Sequence, residues 1–347
     1  MKKALALLLA MSMMISLAAC GGSSSEDAET APAETTTEGE TEEPGEAADG
    51  TDVVAQLTEG LTPFEERQTL RLGFFTGSPL SYPFLFADKL GAFDAMNIDV
   101  EYICFTGGPA MMEANAEWDM ASCGLGGLAN GLYGYDFSLV DINDYEENLA
   151  LFTREGSDIA ADPENPEVWK GATIVYPAGT TAQAVIVKYL NNMGLTLADV
   201  ESVNMDNSNA LTGFNGGTGD ALGCWNAIAL SAEDEGYVRV TDSGQLDIAM
   251  PCGTFAKKDM MENNFDLVVT ACVLFHRAAE WCYESDANMQ QAADWYLEHC
   301  DEEGFLCNED IALRTMEWYR GPSLDEWIAL YTETGADDAG LYTSREL

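Results

Sequence analysis

Four short segments rich in glycine, serine or threonine occur where a predicted strand gives way to a predicted helix. Helix N-termini present unpaired N–H groups and a partial positive charge, and glycine lets a small acceptor approach the backbone closely. Ligands of open α/β sheets bind beyond the carboxyl ends of the strands. The segments therefore predict a backbone-lined binding site, although each by itself could be an ordinary helix cap. They are Thr76-Gly77-Ser78, Thr106-Gly107-Gly108-Pro109, Cys123-Gly124-Leu125-Gly126-Gly127 and Gly179-Thr180-Thr181-Ala182-Gln183.

The same segments contain no lysine or arginine. Because a dianion usually requires such partners, the sequence favours a small monoanion or zwitterion (a sulfonate, a carboxylate or an amino-acid-like solute) ahead of a neutral heteroaromatic compound. A cation stays open, since Glu113, Asp141 and Asp144 lie near the predicted mouth of the site. The nearest basic residues are Arg71, Lys89, Arg154, Lys170 and Lys188.

Familiar catalytic and metal-binding patterns are absent from the sequence. No G-x-S-x-G, H-E-x-x-H, Walker or C-x-x-C motif occurs. The two histidines, His276 and His299, both fall in the predicted C-terminal helices and lack the spacing of metal ligands. We therefore predict that the protein is not an enzyme and that it holds no cofactor and no metal ion.

Nine cysteines are present, and eight of them lie in the globular part of the chain. We interpret these eight as packing residues, because a body of this size does not need cross-links and free cysteine behaves as a small hydrophobic side chain. Cys300 and Cys307, which flank an acidic turn, are the best local candidate for a disulfide. The eight are Cys104, Cys123, Cys224, Cys252, Cys272, Cys282, Cys300 and Cys307.

The ninth cysteine, Cys20, follows a leader. Lys2 and Lys3 give a basic start, an apolar run extends over residues 4–17, and Leu-Ala-Ala precedes the cysteine, which is the pattern of a secretory signal. The leader resembles a bacterial lipoprotein signal, which implies that residues 1–19 are removed and that the Cys20 thiol takes a diacylglycerol. The alternative is an ordinary secretion signal with a chance cysteine. We expect a protein anchored by this lipid to the outer face of the cytoplasmic membrane.

Residues 20–60 form an acidic segment with almost nothing to bury. The segment carries twelve Asp or Glu and no Lys or Arg, so we expect a disordered tether. The whole chain of 347 residues has 60 acidic and 15 basic side chains, a formal charge of −45. This charge excludes nucleic-acid binding as a function.

The elements that position these residues alternate between strand and helix. Strand-like runs occur at residues 69–75, 99–105, 119–123 and 138–141, and again at 172–176, 200–205, 220–224 and 237–241. The rhythm predicts an α/β fold with parallel sheets covered on both faces. We predict lobe 1 from residues 61–150 and 246–347, including C-terminal helices, and lobe 2 from residues 151–245. The clearest predicted helix spans residues 265–283.

Three stretches of the sequence resemble one family. T-L-R-L-G-F-F-T-G begins at residue 69; F-T-G-G-P-A-M-M-E-A at 105–114 precedes W-D-M-A-S-C-G at 118–124; and W-K-G-A-T-I-V-Y-P-A-G-T-T-A-Q at 169–183 precedes G-D-A-L-G-C-W-N at 219–226. In this order they look like the solute-binding lipoproteins of ABC importers, in the alkanesulfonate, taurine, nitrate and thiamine-precursor group. The resemblance covers residues 68–300.

The resemblance implies a two-lobed, periplasmic-binding-protein-like fold of type II, with a ligand cleft between lobes that close on a small solute. It also implies ABC permease subunits as partners, and we expect a monomer. One alternative is a protein that binds a pyrimidine-like thiamine precursor. A related pyrimidine-synthesis-type enzyme is a weaker alternative because this chain has few histidines, and a surface interaction protein without a pocket is a third.

Carried over residue by residue, the family's ligand contacts fall on the four segments. Trp225 matches the tryptophan that follows the D-A strand in the family, whereas Asn226 and Ala227 stand where the family often has an acidic residue and proline. We add Tyr82, whose hydroxyl suits a half-buried position. The predicted ligand-binding residues are Thr76, Ser78, Tyr82, Gly107, Gly108, Gly124, Leu125, Thr180, Thr181, Gln183 and Trp225.

Overall fold

The computed structural model describes residues 52–146, 148–248 and 250–332. The predicted signal peptide, the predicted lipid-attachment residue Cys20 and most of the predicted tether lie outside the described residues. Within the described ranges, no helix is long and apolar enough to cross a membrane.

Ten strands occur in the described part of the chain: β1 Gln68–Phe75, β2 Ile98–Phe105, β3 Met120–Gly124, β4 Phe137–Tyr145, β5 Leu149–Thr153, β6 Thr173–Tyr176, β7 Glu201–Asn204, β8 Ala221–Trp225, β9 Val238–Asp242 and β10 Pro251–Lys257. They form two five-stranded sheets. Sheet 1 has the order β2-β1-β3-β10-β4, and sheet 2 has the order β7-β6-β8-β5-β9. We refer to the part built on sheet 1 as lobe 1 and the part built on sheet 2 as lobe 2.

Both sheets are mixed, so the prediction of parallel sheets is wrong for two strands. β1 pairs in parallel with β2 and β3, and β6 pairs in parallel with β7 and β8. In contrast, β10 runs antiparallel to β3 and β4, and β5 runs antiparallel to β8 and β9. The cause is the path of the chain. β4 and β9 end at the edge where the parallel strands end, and because the chain crosses there to the other sheet, the next strand must run the opposite way.

Fifteen α-helices are described: α1 Val53–Leu57, α2 Tyr82–Lys89, α3 Ala92–Ala95, α4 Gly108–Glu113, α5 Leu125–Gly134, α6 Asp158–Ala161, α7 Pro166–Trp169, α8 Thr181–Asn192, α9 Asn207–Asn215, α10 Asn226–Asp234, α11 Lys258–Asn263, α12 Phe265–Tyr283, α13 Asp286–Glu302, α14 Glu309–Trp318 and α15 Leu324–Thr332. Two 3₁₀ turns span Pro79–Ser81 and Leu197–Asp199. The predicted helix over residues 265–283 is confirmed as α12.

Each sheet is buried by the helices that flank it. In lobe 1, Leu72 and Phe74 of β1 belong to the same buried cluster as Leu274 of α12. In lobe 2, Phe152 of β5 and Leu222 of β8 are fully buried in a cluster of their own. Full burial of such a side chain contributes about 1.5–3 kcal/mol, so these clusters fix the strands whose ends carry the candidate site.

The start of the folded part lies earlier than the sequence indicates. Residues 20–60 were expected to be a disordered tether, but Val53–Leu57 form α1, and the Asp52 side chain accepts a hydrogen bond from the Ala55 N–H at 3.3 Å. Leu57 is only 3% exposed and packs on the lobe 1 core. The apolar side chains of this short helix explain the difference, because they bury surface that the acidic residues before them lack.

The C-terminal helices do not pack on lobe 1 alone. Ile311 of α14 is 4% exposed and packs against Leu230 of α10 in lobe 2. Arg314 of α14 donates to Asp234 of α10 at 2.8 Å. The expected assignment of residues 246–347 to lobe 1 therefore leaves out contacts between α14 and lobe 2.

None of the eight cysteines of the described residues forms a disulfide. Five of them are buried, namely Cys123, Cys224, Cys252, Cys282 and Cys300. The Cys300 and Cys307 thiols are neighbours that share a hydrogen bond, and they are not joined as a disulfide in this structure.

Candidate functional site between the two lobes

A cavity lies between the lobes, at the edge where the parallel strands of both sheets end. Its volume is about 20 Å³, which is room for about one water molecule. We refer to it as the interlobe cavity. Its lining residues are Phe75, Gly108, Pro109, Cys123, Gly124, Gly126, Gly127, Glu146, Thr180, Thr181 and Trp225.

Three helices, α5, α8 and α10, begin at this cavity. Their N-cap residues are Gly124, Thr180 and Trp225, and none of the three makes a side-chain hydrogen bond that caps its helix. Because all three N-cap residues line the cavity, the positive ends of the three helix dipoles meet there. The first N–H of α10, that of Asn226, donates to the Asn148 carbonyl at 3.3 Å, so the other N–H groups of the first turns are the ones that a ligand could use. The arrangement is suited to a small group that accepts hydrogen bonds.

The two lobes approach each other closely around the cavity. A Cβ atom on Gly126 of α5 would lie 2.7 Å from the carbonyl oxygen of Gly179 and 2.8 Å from Cα of Thr180. Both partners are backbone atoms of lobe 2, so a side chain at Gly126 would push the lobes apart. The rings of Phe75 and Trp225 meet edge to face, with centroids 6.1 Å apart.

Glu146 places a carboxyl group in this cavity, at the point where the chain crosses from β4 to β5. The residue is 5% exposed, and burial raises the pKa of its carboxyl to about 7, although hydrogen bonds with the Thr181 hydroxyl and the Cys252 thiol partly oppose this rise. Its Oε2 atom has no hydrogen-bond partner within the described structure. None of the lining residues is Lys, Arg or His, so this buried carboxyl group has no cation beside it.

Sequence reasoning did not single out Glu146. The signal available was the run of acidic residues at the predicted lobe crossing, in which Asp141 and Asp144 were noted as near the mouth. Which acid of this run enters the cavity depends on the register of β4 and the place where it ends, and the sequence does not state either.

A larger cavity, of about 300 Å³, lies within lobe 1 between α12 and the segment before α15, where Phe275, Tyr319 and Trp327 line it. The interlobe cavity is the better candidate for the functional site, because both lobes contribute to its wall and because strand ends and helix starts meet there.

The sequence profile of the NMT1/THI5-like family matches residues 78–289, which is more than half of the chain. This chain belongs to the NMT1/THI5-like family. A protein of Brucella abortus and one of Brucella suis, each named only as a candidate binding protein, are 24% identical to it over 214 residues. The match covers 60% of this chain and spans 64% of the length of these relatives.

Solved structures show what this NMT1/THI5-like fold is similar to. The periplasmic aliphatic sulphonate binding protein SsuA of Escherichia coli superposes with a TM-score of 0.60 at 18% identity, covering 80% of this chain and 93% of that protein. The alkanesulfonate-binding protein SsuA of Xanthomonas axonopodis superposes with a TM-score of 0.62 at 14% identity, covering 81% of this chain and 95% of that protein. The periplasmic nitrate-binding protein NrtA of Synechocystis superposes with a TM-score of 0.60 at 12% identity, covering 82% of this chain and 86% of that protein. The predicted two-lobed fold of type II is thereby confirmed.

Five of the predicted ligand residues of this NMT1/THI5-like protein line the interlobe cavity: Gly108, Gly124, Thr180, Thr181 and Trp225. Gly107 is the N-cap of α4, next to the wall. Leu125 begins α5, and its side chain lies outside the described part of the structure.

Four predicted residues lie elsewhere. Thr76 is buried next to the Cys104 thiol, and the Ser78 hydroxyl accepts from Asn226 Nδ2 of lobe 2 at 3.3 Å. The Gln183 side chain accepts from the Gly179 N–H at 2.7 Å, so it closes its own turn. Tyr82 is fully buried, where its hydroxyl accepts from the Gly77 N–H and contacts His299 Nδ1 at 3.0 Å. The half-buried position expected for Tyr82 is not observed, because α2 directs its ring into the lobe 1 core.

Proposed function

We propose that this chain is a solute-binding protein of an ABC importer, which captures a small solute by closure of its two lobes and delivers it to a permease in the membrane. The observation that carries the proposal is the interlobe cavity, whose wall is complete only when both lobes meet. The family and the fold support it, since the E. coli relative of the same fold is a periplasmic binding protein for aliphatic sulphonates. In this role the protein is not an enzyme.

Glu146 and the helix N-termini argue for a particular class of solute. A bare anion such as nitrate or a simple sulfonate would add a second negative charge beside the Glu146 carboxylate. A small zwitterion satisfies both features, because its amine donates to Glu146 Oε2 while its carboxylate or sulfonate accepts from the N–H groups at the starts of α5, α8 and α10. We propose an amino-acid-like or aminosulfonate solute. An aminopyrimidine, the alternative within the family, shares the amino group but lacks the anion.

Matched pairs of solutes test this proposal. Taurine and ethanesulfonate differ only by the amine, and so do β-alanine and propionate. In calorimetric titrations at pH 8, we expect the amine-bearing member of at least one pair to bind about tenfold tighter or more, the effect of one charge-assisted hydrogen bond. 4-Amino-2-methylpyrimidine serves as the third probe, and its binding in place of both zwitterions would favour the pyrimidine alternative.

Two outcomes would contradict the proposal at different levels. Equal affinity within both pairs would remove the amine contact but leave a binding protein. A broad panel of small solutes that never raises the melting temperature would contradict solute binding itself, because a ligand of the folded state stabilises it increasingly as its concentration rises.

The proposed location is the outer face of the cytoplasmic membrane, with Cys20 carrying the lipid. The leader sequence and the likeness to periplasmic binding proteins support this location. The acidic segment between Cys20 and α1 repels itself and carries no base, so it would keep the folded part clear of the membrane surface.

A further inference from the structure

Three side chains with metal-binding chemistry converge on one side of lobe 1, outside the interlobe cavity. Cys104 lies near the end of β2, His299 lies in the last turn of α13, and Glu303 follows that helix directly. One sulfur, one nitrogen and one oxygen atom from these residues all lie within 4.8 Å of one another. His299 and Glu303 are four residues apart at the end of α13, whereas Cys104 is distant in sequence, and the packing of α13 beside the end of β2 brings it to them.

The spacing of the two best ligands fits a zinc ion. Cys104 Sγ lies 3.7 Å from His299 Nε2. In a tetrahedral site with a Zn–S bond of about 2.3 Å and a Zn–N bond of about 2.0–2.1 Å, the sulfur and the nitrogen lie about 3.6 Å apart. A sulfur, an imidazole nitrogen and a carboxylate oxygen form a donor set that suits Zn²⁺ better than Mg²⁺ or Ca²⁺, which prefer oxygen alone.

A second observation supports the site, namely the partner on the other side of the imidazole ring. His299 Nδ1 lies 3.0 Å from the Tyr82 hydroxyl, and His299 is 7% exposed while Tyr82 is fully buried. Metal-binding histidines usually donate their second N–H to such a fixed acceptor, which orients the ring. Here the Tyr82 oxygen can accept from Nδ1 while its O–H is directed to Cys300 Sγ at 3.5 Å. Nε2 is then left to face Cys104 and Glu303.

We propose that Cys104, His299 and Glu303 bind a Zn²⁺ ion, with a water molecule in the fourth position. On binding, the Cys104 thiol releases its proton to solvent and the thiolate ligates the metal. The ion would tie the end of β2 to the end of α13. Because Tyr82 and Tyr296 both hydrogen-bond to Gly77, this tie would stabilise the turn after β1. The site shares no lining residue with the interlobe cavity, so the proposal does not depend on the solute.

Cobalt substitution provides the decisive test, since a strongly acidic protein binds zinc weakly at many surface carboxylates. Metal-free protein is titrated with Co²⁺ and, separately, with Zn²⁺ against a chromophoric chelator. We expect one tight site per chain, a thiolate-to-cobalt charge-transfer band, and loss of that band in Cys104→Ser. Glu303→Gln, at an exposed position, should weaken Zn²⁺ binding about tenfold or more.

Two matched variants serve as controls. Glu302→Gln changes the neighbouring exposed glutamate, and Cys307→Ser removes a nearby thiol that is not in the cluster; both should retain the band and the affinity. Absence of the charge-transfer band in the unmodified protein would overturn the proposal, and so would unchanged Zn²⁺ affinity in Glu303→Gln and Cys104→Ser together. Either result would leave Cys104 and His299 as a hydrogen-bonded pair only.

Discussion

At the scale of single residues, Glu146 is a buried acid whose hydrogen bonding is incomplete. Its carboxyl group is buried between helix N-termini from both lobes, and its Oε2 atom has no hydrogen-bond partner among the described residues. Burying a carboxylate without a cationic partner costs several kcal/mol in real proteins. Three changes would lower this cost. The carboxyl group can take up a proton, a solute can donate a hydrogen bond to it, or the lobes can separate so that water reaches it.

The first prediction concerns the pH dependence that Glu146 confers. Its pKa of about 7 in the folded protein lies above the usual carboxyl range, so the folded state holds the proton more tightly than the unfolded state does. The associated stability is present at acid pH below about 4.5 and is lost as pH rises through about 7. Glu146→Gln should therefore raise the free energy of unfolding of the solute-free protein at pH 8 by up to about 3 kcal/mol, with no gain near pH 4.

Chemical denaturation at several pH values measures this difference, and Glu201→Gln, at an exposed position, serves as the control. Parallel stability curves for Glu146→Gln and the unmodified protein would show that the carboxyl group is hydrated in solution. The same substitution should weaken the binding of an amine-bearing solute about tenfold or more. The affinity of the unmodified protein for that solute should increase as the pH is raised through 7, because the carboxyl group then loses its proton.

At the scale of elements, the starts of α5 and α8 form the contact between the lobes. Gly126 in the first turn of α5 fits against the backbone at Gly179 and Thr180 because it has no Cβ. The close contact between the lobes thus depends on one residue of minimal size in a helix, where glycine is otherwise unfavourable by about 1 kcal/mol relative to alanine.

The second prediction separates this contact from helix propensity. Gly126→Ala should leave each lobe folded but weaken solute binding about tenfold, since the added methyl group meets backbone atoms at less than 3 Å and overpacking costs about 1–3 kcal/mol. Gly134→Ala, at the other end of α5, gains the same helix propensity but meets no atom within 4 Å. It should bind solute as the unmodified protein does.

Small-angle scattering provides a second measure for these variants. A saturating solute should reduce the radius of gyration of the unmodified protein and of Gly134→Ala, and reduce it less for Gly126→Ala. Identical affinity and identical scattering for the two alanine variants would show that the lobes do not need to approach this closely when solute is bound.

At the scale of the whole molecule, the described conformation is a closed one. The interlobe cavity holds about one water molecule, so a solute of several heavy atoms can enter only when the lobes separate. The chain passes from one lobe to the other between β4 and β5 and again between β9 and β10, and α14 adds contacts with α10. Under the proposed function, a solute that pairs with Glu146 would remove the cost of burying its carboxylate, and this would shift the population towards the closed form.

The last prediction concerns the place of the molecule in the cell. If Cys20 carries a lipid, we expect the unmodified protein in the membrane fraction and Cys20→Ser in the soluble fraction, because the substitution removes the thiol to which the lipid would be attached. Fractionation followed by immunodetection measures this. Cys104→Ser, another single-thiol change, is the control and should stay with the membrane. Equal distribution of the unmodified protein and Cys20→Ser would contradict the lipid anchor.

The sequence by itself determined the local features of this protein. The alternation of strands and helices, the bounds of α12 and the glycine- and threonine-rich starts of helices follow from contacts over a few residues. Ligands of α/β sheets bind beyond the carboxyl ends of the parallel strands, and the sequence shows where these strands end. Five predicted residues line the interlobe cavity for this reason, namely Gly108, Gly124, Thr180, Thr181 and Trp225.

Only the tertiary structure decided which distant side chains meet. Glu146 enters the cavity because β4 ends one residue before it, and Tyr82 leaves the predicted site because α2 directs its ring into the core. Cys104 contacts His299, which lies 195 positions away in the sequence. At such a separation, the spacing of two residues does not predict whether they are in contact. The direction of β5 and β10 has the same origin, since it depends on where the chain crosses between sheets and not on the residues within either strand.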